Sequence, residues 1–173
     1  MPENIPTVES LSDKLATLME IAVLVNSNHN LEIVVLRAVQ SVCRLTGAET
    51  GSLMLLDVDS GDLCFEVVLG QPLSDLKKLR IPNGHGIGGW VAERNTPMIV
   101  PDVQSDTRFY RVADETSSFV TRSMIAVPLC VKGRVIGVLQ TINKQTGTFD
   151  HADLKLAMAL ANMVAPAIDE NRD

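Results

Sequence analysis

A chain of 173 residues with 46% hydrophobic content can bury one sizeable core and is short for two. Its net charge of -6, with lysines and arginines scattered along the chain, lacks the basic stripe that a phosphate-backbone binder needs, which argues against nucleic acid as a partner. The amino-terminal Met-Pro-Glu-Asn-Ile-Pro places no apolar segment behind a basic one, and no apolar run approaches bilayer length. A cytoplasmic protein without a membrane partner is the expectation.

From Ser10 to Val25, apolar residues recur at Leu11, Leu15, Leu18, Ala22 and Val25, the spacing of one helix face. Ser10 and Asp13 resemble a weakened capping box at its start. Asn28, His29 and Asn30 interrupt the pattern. A second stripe then runs through Leu31, Val34, Val35, Ala38, Val42 and Leu45 and stops at Gly47. Residues 8–46 therefore read as two helices.

Ser52–Asp57 and Leu63–Leu69 are apolar runs joined by turn formers, which predicts a β-hairpin. Both faces of these strands are apolar, so the sheet should be covered on both sides. A short extended piece at Leu79–Ile81 precedes a glycine-rich segment and a helix-like run to Glu93. Pro97–Val100 reads as an edge strand. The segment through Ser118 is irregular or weakly helical. Ser123–Val131 and Arg134–Asn143 form a second hairpin about Lys132-Gly133, with Pro128 implying a bulge or an edge position. Asp150 can cap a last helix over residues 150–170, whose apolar face includes Leu160, Val164 and Ile168 and which Pro166 should kink or end.

This order predicts a single α+β domain over residues 1–173. Its central antiparallel sheet of about six strands carries the amino- and carboxy-terminal helices on one face. Within residues 50–143, a loop and short-helix lid closes a ligand pocket on the other face.

The stretch Ile81–Thr121 gathers glycines, polar groups and Trp90, Phe109, Tyr110 and Phe119, and ligand chemistry is expected there. Gly84-His85-Gly86-Ile87-Gly88-Gly89 satisfies G-x-G-x-x-G. Pro82 and Asn83 stand where a Rossmann fold needs a buried strand, and the kinase lysine, catalytic-loop and metal motifs are missing. Cys43, Cys64 and Cys130 fall on different elements without a C-x-x-C pair, and His29, His85 and His151 are scattered, so no metal site is predicted.

Ile81-Pro82, Gly86-Ile87-Gly88-Gly89-Trp90-Val91-Ala92, Pro97, Val100, Asp102, Asp106, Arg108 and Phe109 resemble the signature of GAF domains. The likeness continues through Val127-Pro128-Leu129, Gly133, Val135-Ile136-Gly137-Val138-Leu139 and Asn143. Phe109-Tyr110-Arg111, Asp114, Phe119 and Thr121-Arg122 are particularly similar to GAF domains of cyclic-nucleotide phosphodiesterases. Asn143-Lys144, Phe149 and Asp153 resemble their N-K-F-D-E motif, with Leu154 in place of the glutamate. The resemblance implies a structural ion pair between Lys144 and Asp153. It also implies a ligand site formed by Ser52, the Ile87-Gly88 backbone, Phe109, Tyr110, Asp114, Phe119, Thr121, Met124 and Gln140. Leu69 stands where some relatives read a purine with a carboxylate, and Gln140 replaces a glutamate. An amide both donates and accepts, so adenine or another small molecule suits it better than guanine.

Taken singly, Trp90, Phe109, Tyr110, Phe119 and Met124 also read as core packing, and Asp102, Asp106 and Asp114 as turn and capping groups. The resemblance further implies a non-catalytic regulatory module in signal transduction that senses a small molecule, with a cyclic nucleotide among the candidates. No cofactor is expected: a covalent bilin lacks its cysteine between Asp106 and Ser118, and His85 alone stands near the pocket as a haem ligand. One alternative is a ligand-free dimerisation or scaffold module, pairing as a homodimer through its terminal helices. A less favoured one is a GAF-fold free methionine sulfoxide reductase, for which the separated cysteines are a poor match. Family members often continue into an output domain, so an output domain or signalling protein is the expected partner.

Overall fold

The computed structural model describes residues 8–27, 30–70, 79–112 and 120–172. Two helices come first, α1 (Val8–Val25) and α2 (Leu31–Thr46). Asn30 caps α2 by accepting the Ile33 amide at 3.0 Å, and Gly47 ends it in the left-handed region at φ 66°. The strands β1 (Ala48–Leu56) and β2 (Leu63–Val68) form the first hairpin, its turn held by Asp57, whose carboxylate accepts the amides of Asp59 and Ser60. Then follow β3 (Arg80–Ile81), α3 (Gly86–Arg94), β4 (Met98–Val100), a 3-10 turn at Val103–Ser105, β5 (Met124–Val131), β6 (Arg134–Lys144) and α4 (His151–Glu170).

The six strands make one antiparallel sheet in the order β3-β2-β1-β6-β5-β4. Side chains alternate across it, so each strand feeds two cores. Leu53, Leu55, Ile125, Val127 and Leu139 meet α2 and α4 through Val39, Val42, Leu160 and Val164. Met54, Ala126, Val138 and Ile142 face the other way, against Ile87, Val91, Val100 and Val103 of the lid. The terminal helices thus share one face, and α3 with the loops after it covers the other.

At Lys132-Gly133 the second hairpin turns with φ of 51° and 80°, the pair of positive values that a two-residue turn of matching twist requires. Pro128 is tolerated because β4 pairs only with Met124–Ala126, which leaves the Pro128 side of β5 without a ladder neighbour, next to a register shift at Leu129/Cys130.

Two local expectations about α1 are corrected. The first helix begins at Val8, so Ser10 lies inside it and is not its cap. Only part of the predicted stripe faces inward: Leu18 and Val25 pack against the core beside buried Thr17 and Ile21, whereas Leu11 and Leu15 are 54% and 59% exposed, as are Met19 and Val23 at 60% and 69%. Periodicity measures where apolar residues lie on a helix, and α1 has them nearly all round. Pro166 does not end α4, which continues to Glu170. The residue before the helical turn it interrupts, Asn162, is exposed, so water can take the carbonyl that the missing amide releases.

Candidate functional site

Ser52 on β1 and Gln140 on β6 are register partners on the lid-facing side of the sheet. The Ser52 hydroxyl donates to Gln140 Oε1 at 3.1 Å. Gln140 is only 6% exposed, and among the described residues its Nε2 has no hydrogen-bond partner. The fully buried side-chain atom without a partner among the described residues is the neighbouring Thr141 Oγ1, so Gln140 Nε2 is not sealed off and keeps access to the lid side. The carboxamide can also turn end for end, presenting its oxygen instead.

Directly over it stands the start of α3. Gly86 enters the helix at φ 71°, and the first helical bond runs from the Gly89 amide to the His85 carbonyl at 3.1 Å. The amides of Gly86, Ile87 and Gly88 thus precede the helical ladder. A Cβ on Gly88 would lie 3.1 Å from Met54 Cε, 3.2 Å from Gln140 Nε2 and 3.3 Å from Leu63 Cδ1. Glycine here lets the helix backbone approach the Gln140 amide without displacing these side-chain ends, which a Cβ would push back by a few tenths of an ångström. The Ile87 side chain is buried in the lid-side core, so its backbone is the part left for a ligand.

Met124 is buried in the same core, and Phe109 and Tyr110 are half-buried against it. The Tyr110 ring meets His85 edge-on at 6.4 Å, and the Arg111 guanidinium lies 5.6 Å over Phe109. Thr121 is buried, and its carbonyl accepts from Gln104 Nε2 at 2.8 Å. Asp114 and Phe119 lie outside the described residues. Leu69 packs into the helical-face core, on the far side of the sheet from Gln140. Ser52, Gln140, Gly88, Ile87, Met124, Phe109, Tyr110 and Thr121 therefore share the lid side of the sheet.

Two charged clamps frame this face. Arg108 holds Asp106 through both carboxylate oxygens, at 2.9 and 2.5 Å, and keeps that carboxyl below its ordinary range. The same guanidinium lies 5.1 Å over Trp90, whose other neighbour Arg94 is at 4.8 Å. Asp102 accepts from Ser105 Oγ at 2.7 Å, the turn chemistry anticipated for it.

At the end of β6, Asn143 is fully buried with φ 60°. Its Oδ1 accepts the amides of Arg122 at 2.6 Å and Ser123 at 3.2 Å, and its Nδ2 donates to the Val120 carbonyl at 2.9 Å and Glu49 Oε2 at 3.2 Å. This clamp on the chain leaving the lid was not anticipated. The available signal was a lone asparagine closing a long apolar strand, since asparagine tolerates the left-handed region. The next residue, Lys144, points to the other layer: its Nζ lies 2.9 Å from Asp153 Oδ2 and 2.6 Å from the Thr46 carbonyl. Asp150 and Asp153 complete a reciprocal capping box at the start of α4.

The three cysteines are free and sit on α2, β2 and β5. Burial pushes the Cys43 thiol up to about 12 and raises that of Cys64. No cluster of three or more His, Cys, Asp or Glu suited to a metal ion occurs among the described residues. Among the same residues, no helix is long and apolar enough to cross a membrane.

Residues 30–168 match the family model of the GAF domain. The chain is 26% identical over 133 residues to the probable 3',5'-cyclic phosphodiesterase pde-5 of Caenorhabditis elegans, covering 72% of this chain and 18% of that protein. It is 31% identical over 135 residues to the dual 3',5'-cyclic-AMP and -GMP phosphodiesterase 11 of Drosophila melanogaster, covering 69% and 9%. It therefore spans less than a fifth of either relative. In fold it resembles the GAF domain of a phosphoenolpyruvate-protein phosphotransferase from Coxiella burnetii, with a TM-score of 0.83, 24% identity and coverage of 93% and 95% of the two chains. The free methionine-R-sulfoxide reductase of Neisseria meningitidis, solved with its substrate, shares the fold with a TM-score of 0.77, 23% identity and coverage of 96% and 93%. With the two-sided sheet, the glycine-started lid helix and this match over most of its length, the chain belongs to the GAF domain family, regulatory domains of phosphodiesterases and other signalling proteins.

Proposed function

We propose that this domain is a non-catalytic sensor that binds a small polar molecule between the Ser52–Gln140 pair and the start of α3. The observation that carries the reading is the Gln140 carboxamide, set low in the lid-side face, held at one end by Ser52 and, among the described residues, with no partner at its Nε2. A ligand acceptor at that position would add a hydrogen bond to a donor already held in place by Ser52. Two relatives are named as cyclic-nucleotide phosphodiesterases, which puts cyclic nucleotides first among the candidates. Isothermal titration against cyclic AMP, cyclic GMP and a metabolite panel tests it. Saturable binding that Gln140→Leu weakens about 10-fold or more is the expected result; no saturable ligand across the panel overturns it.

The reading as a non-enzyme is favoured by the thiols. A sulfoxide reductase of this fold needs a reactive thiolate, whereas Cys43 is kept protonated by burial and the other two lie on separate strands. Free thiols also suit a reducing, cytoplasmic setting. Turnover of free methionine sulfoxide that disappears in Cys64→Ser or Cys130→Ser would reverse this ranking.

A second element of the reading is a homodimer through the terminal helices, which would pass the bound state to an output domain or signalling protein. Support comes from the exposed stripe Leu11, Leu15, Met19 and Val23 on α1. Four uncharged side chains in line are the surface over which two copies of a chain with net charge -6 meet at least electrostatic cost. Sedimentation should show a dimer that Leu15→Glu with Met19→Glu dissociates; a wild-type monomer at micromolar concentration removes this element.

A further inference from the structure

An open groove of about 500 Å³ lies on the opposite, helical face of the sheet, with Arg37, Gln40, Cys43, Arg44, Leu69 and Gln145 in its wall. Among the described residues, every other arginine is engaged. Arg80, Arg94, Arg108, Arg122 and Arg134 pair with carboxylates, Arg111 bonds Gln104, and Arg172 bonds the Leu56 carbonyl. Among the described residues Arg37 and Arg44 have neither an ion pair nor a hydrogen bond; both are exposed, so their guanidiniums are free to meet a ligand from solvent. Being seven positions apart on α2, they stand on one face, about 10.5 Å apart along its axis.

We propose that this groove is a second ligand site, separate from the lid pocket, for a small organic anion carrying two oxyanion groups. The two guanidiniums each bind one group as planar donor forks. Gln40 and Gln145 supply amide donors, and Leu69 and the uncharged Cys43 thiol supply an apolar wall. The groove volume falls within the usual range for small-molecule sites. The carboxy-terminal end of α2 is its negative pole and by itself disfavours an anion. Arg44 in the last turn and Lys144 on the Thr46 carbonyl offset that pole. Glu20 is also in the wall without contacting either arginine, so it excludes bulkier polyanions and favours a ligand whose charge stays on the α2 side.

The test is isothermal titration of the whole chain at constant ionic strength with succinate, glutarate, citrate, 3-phosphoglycerate and inorganic phosphate, in wild type, Arg37→Gln, Arg44→Gln and Gln140→Leu. At least one dianion should saturate, with the carboxylate and phosphate probes separating the two chemistries. Each arginine variant should weaken binding about 10-fold or more, as expected for loss of a charge-assisted fork, and Gln140→Leu should leave it unchanged. Three results overturn the proposal: no saturation by any dianion, wild-type affinity in both arginine variants, or inorganic phosphate binding as tightly as the best dianion.

Discussion

Replacing Lys144 by Met removes the ammonium that joins three elements at the corner between β6, α2 and α4. In the folded chain its Nζ is 2.9 Å from Asp153 Oδ2 and 2.6 Å from the Thr46 carbonyl. The Asp153 side chain is 7% exposed, so the change leaves a buried carboxylate with only the Asp150 amide at 3.0 Å to stabilise it. Breaking a fully buried pair costs about 3–5 kcal/mol. Lys144 is 20% exposed and its charge partly screened, which brings the expectation down to about 2–3 kcal/mol. Asp153→Asn keeps the shape and the amide bond but loses the charge, for about 1.5–2.5 kcal/mol. The double variant should cost little more than the worse single one, because both remove the same interaction; a coupling of about 1–2 kcal/mol follows. Urea unfolding of the four proteins measures it, and each kcal/mol should also lower Tm by about 2–4 °C. Additive single effects, or losses under about 0.5 kcal/mol, would refute the assignment of this pair as a structural corner.

Acid should weaken the fold in a defined way. The Arg108 guanidinium beside Asp106 and the Asp153 amide beside Asp150 hold those carboxyls below the ordinary range. Their stabilisation is complete above the unfolded carboxyl values and is lost as pH falls through the lower folded values, roughly from pH 5 to pH 2. Asp106→Asn should flatten that limb of the stability–pH curve, and an unchanged curve would count against the clamp. A Cβ at Gly137 would lie 2.2 Å from the Met54 carbonyl oxygen, whereas one at Gly88 meets only side-chain ends at 3.1–3.3 Å. Gly137→Ala should therefore cost about 3 kcal/mol or more and Gly88→Ala about 1 kcal/mol, and thermal melts showing the reverse order would contradict the packing. Cys43, its thiol pushed up to about 12, should resist iodoacetamide at pH 8 in the native state and react once the chain unfolds. Native alkylation at the rate of a free thiol would refute its burial.

The sheet was legible because its residues obey local rules. Val58–Asp62 and Lys132-Gly133 are turn formers between apolar runs, and both hairpins form where those signals stand. α2 was equally readable, since Asn30 and Gly47 mark its ends chemically. In α1 the stripe was right at Leu18 and Val25 and wrong at Leu11 and Leu15, because Leu11, Leu15 and Ile21 are alike to any periodicity count; only the position of α2 and α4 decides that Ile21 is the buried one. For the site, the resemblance named Ser52 and Gln140 singly, but their mutual bond depends on register between strands 88 positions apart in the chain. Long-range register is a property of the assembled sheet.

Asn143 and Lys144 show how one dipeptide can serve both layers. Regular alternation would turn Asn143 to the helical face with Leu139 and Lys144 to the lid face with Ile142; the left-handed φ of 60° at Asn143 breaks that alternation and exchanges their layers. Asn143 uses all of its amide on the chain leaving the lid and on Glu49, while Lys144 reaches the last turn of α2 and the first turn of α4. A ligand that draws the Val120–Ser123 segment toward Gln140 must pull on the Asn143 carboxamide, and the positive φ of Asn143 leaves that backbone little freedom to absorb the strain. Movement would then reach Lys144 and the helix ends it holds. On this reasoning Asn143→Ala should weaken the effect of ligand on the terminal helices more than it weakens ligand binding itself. Hydrogen exchange of α4 amides with and without ligand measures that difference, and parallel loss of both would show that Asn143 shapes the pocket without transmitting its state.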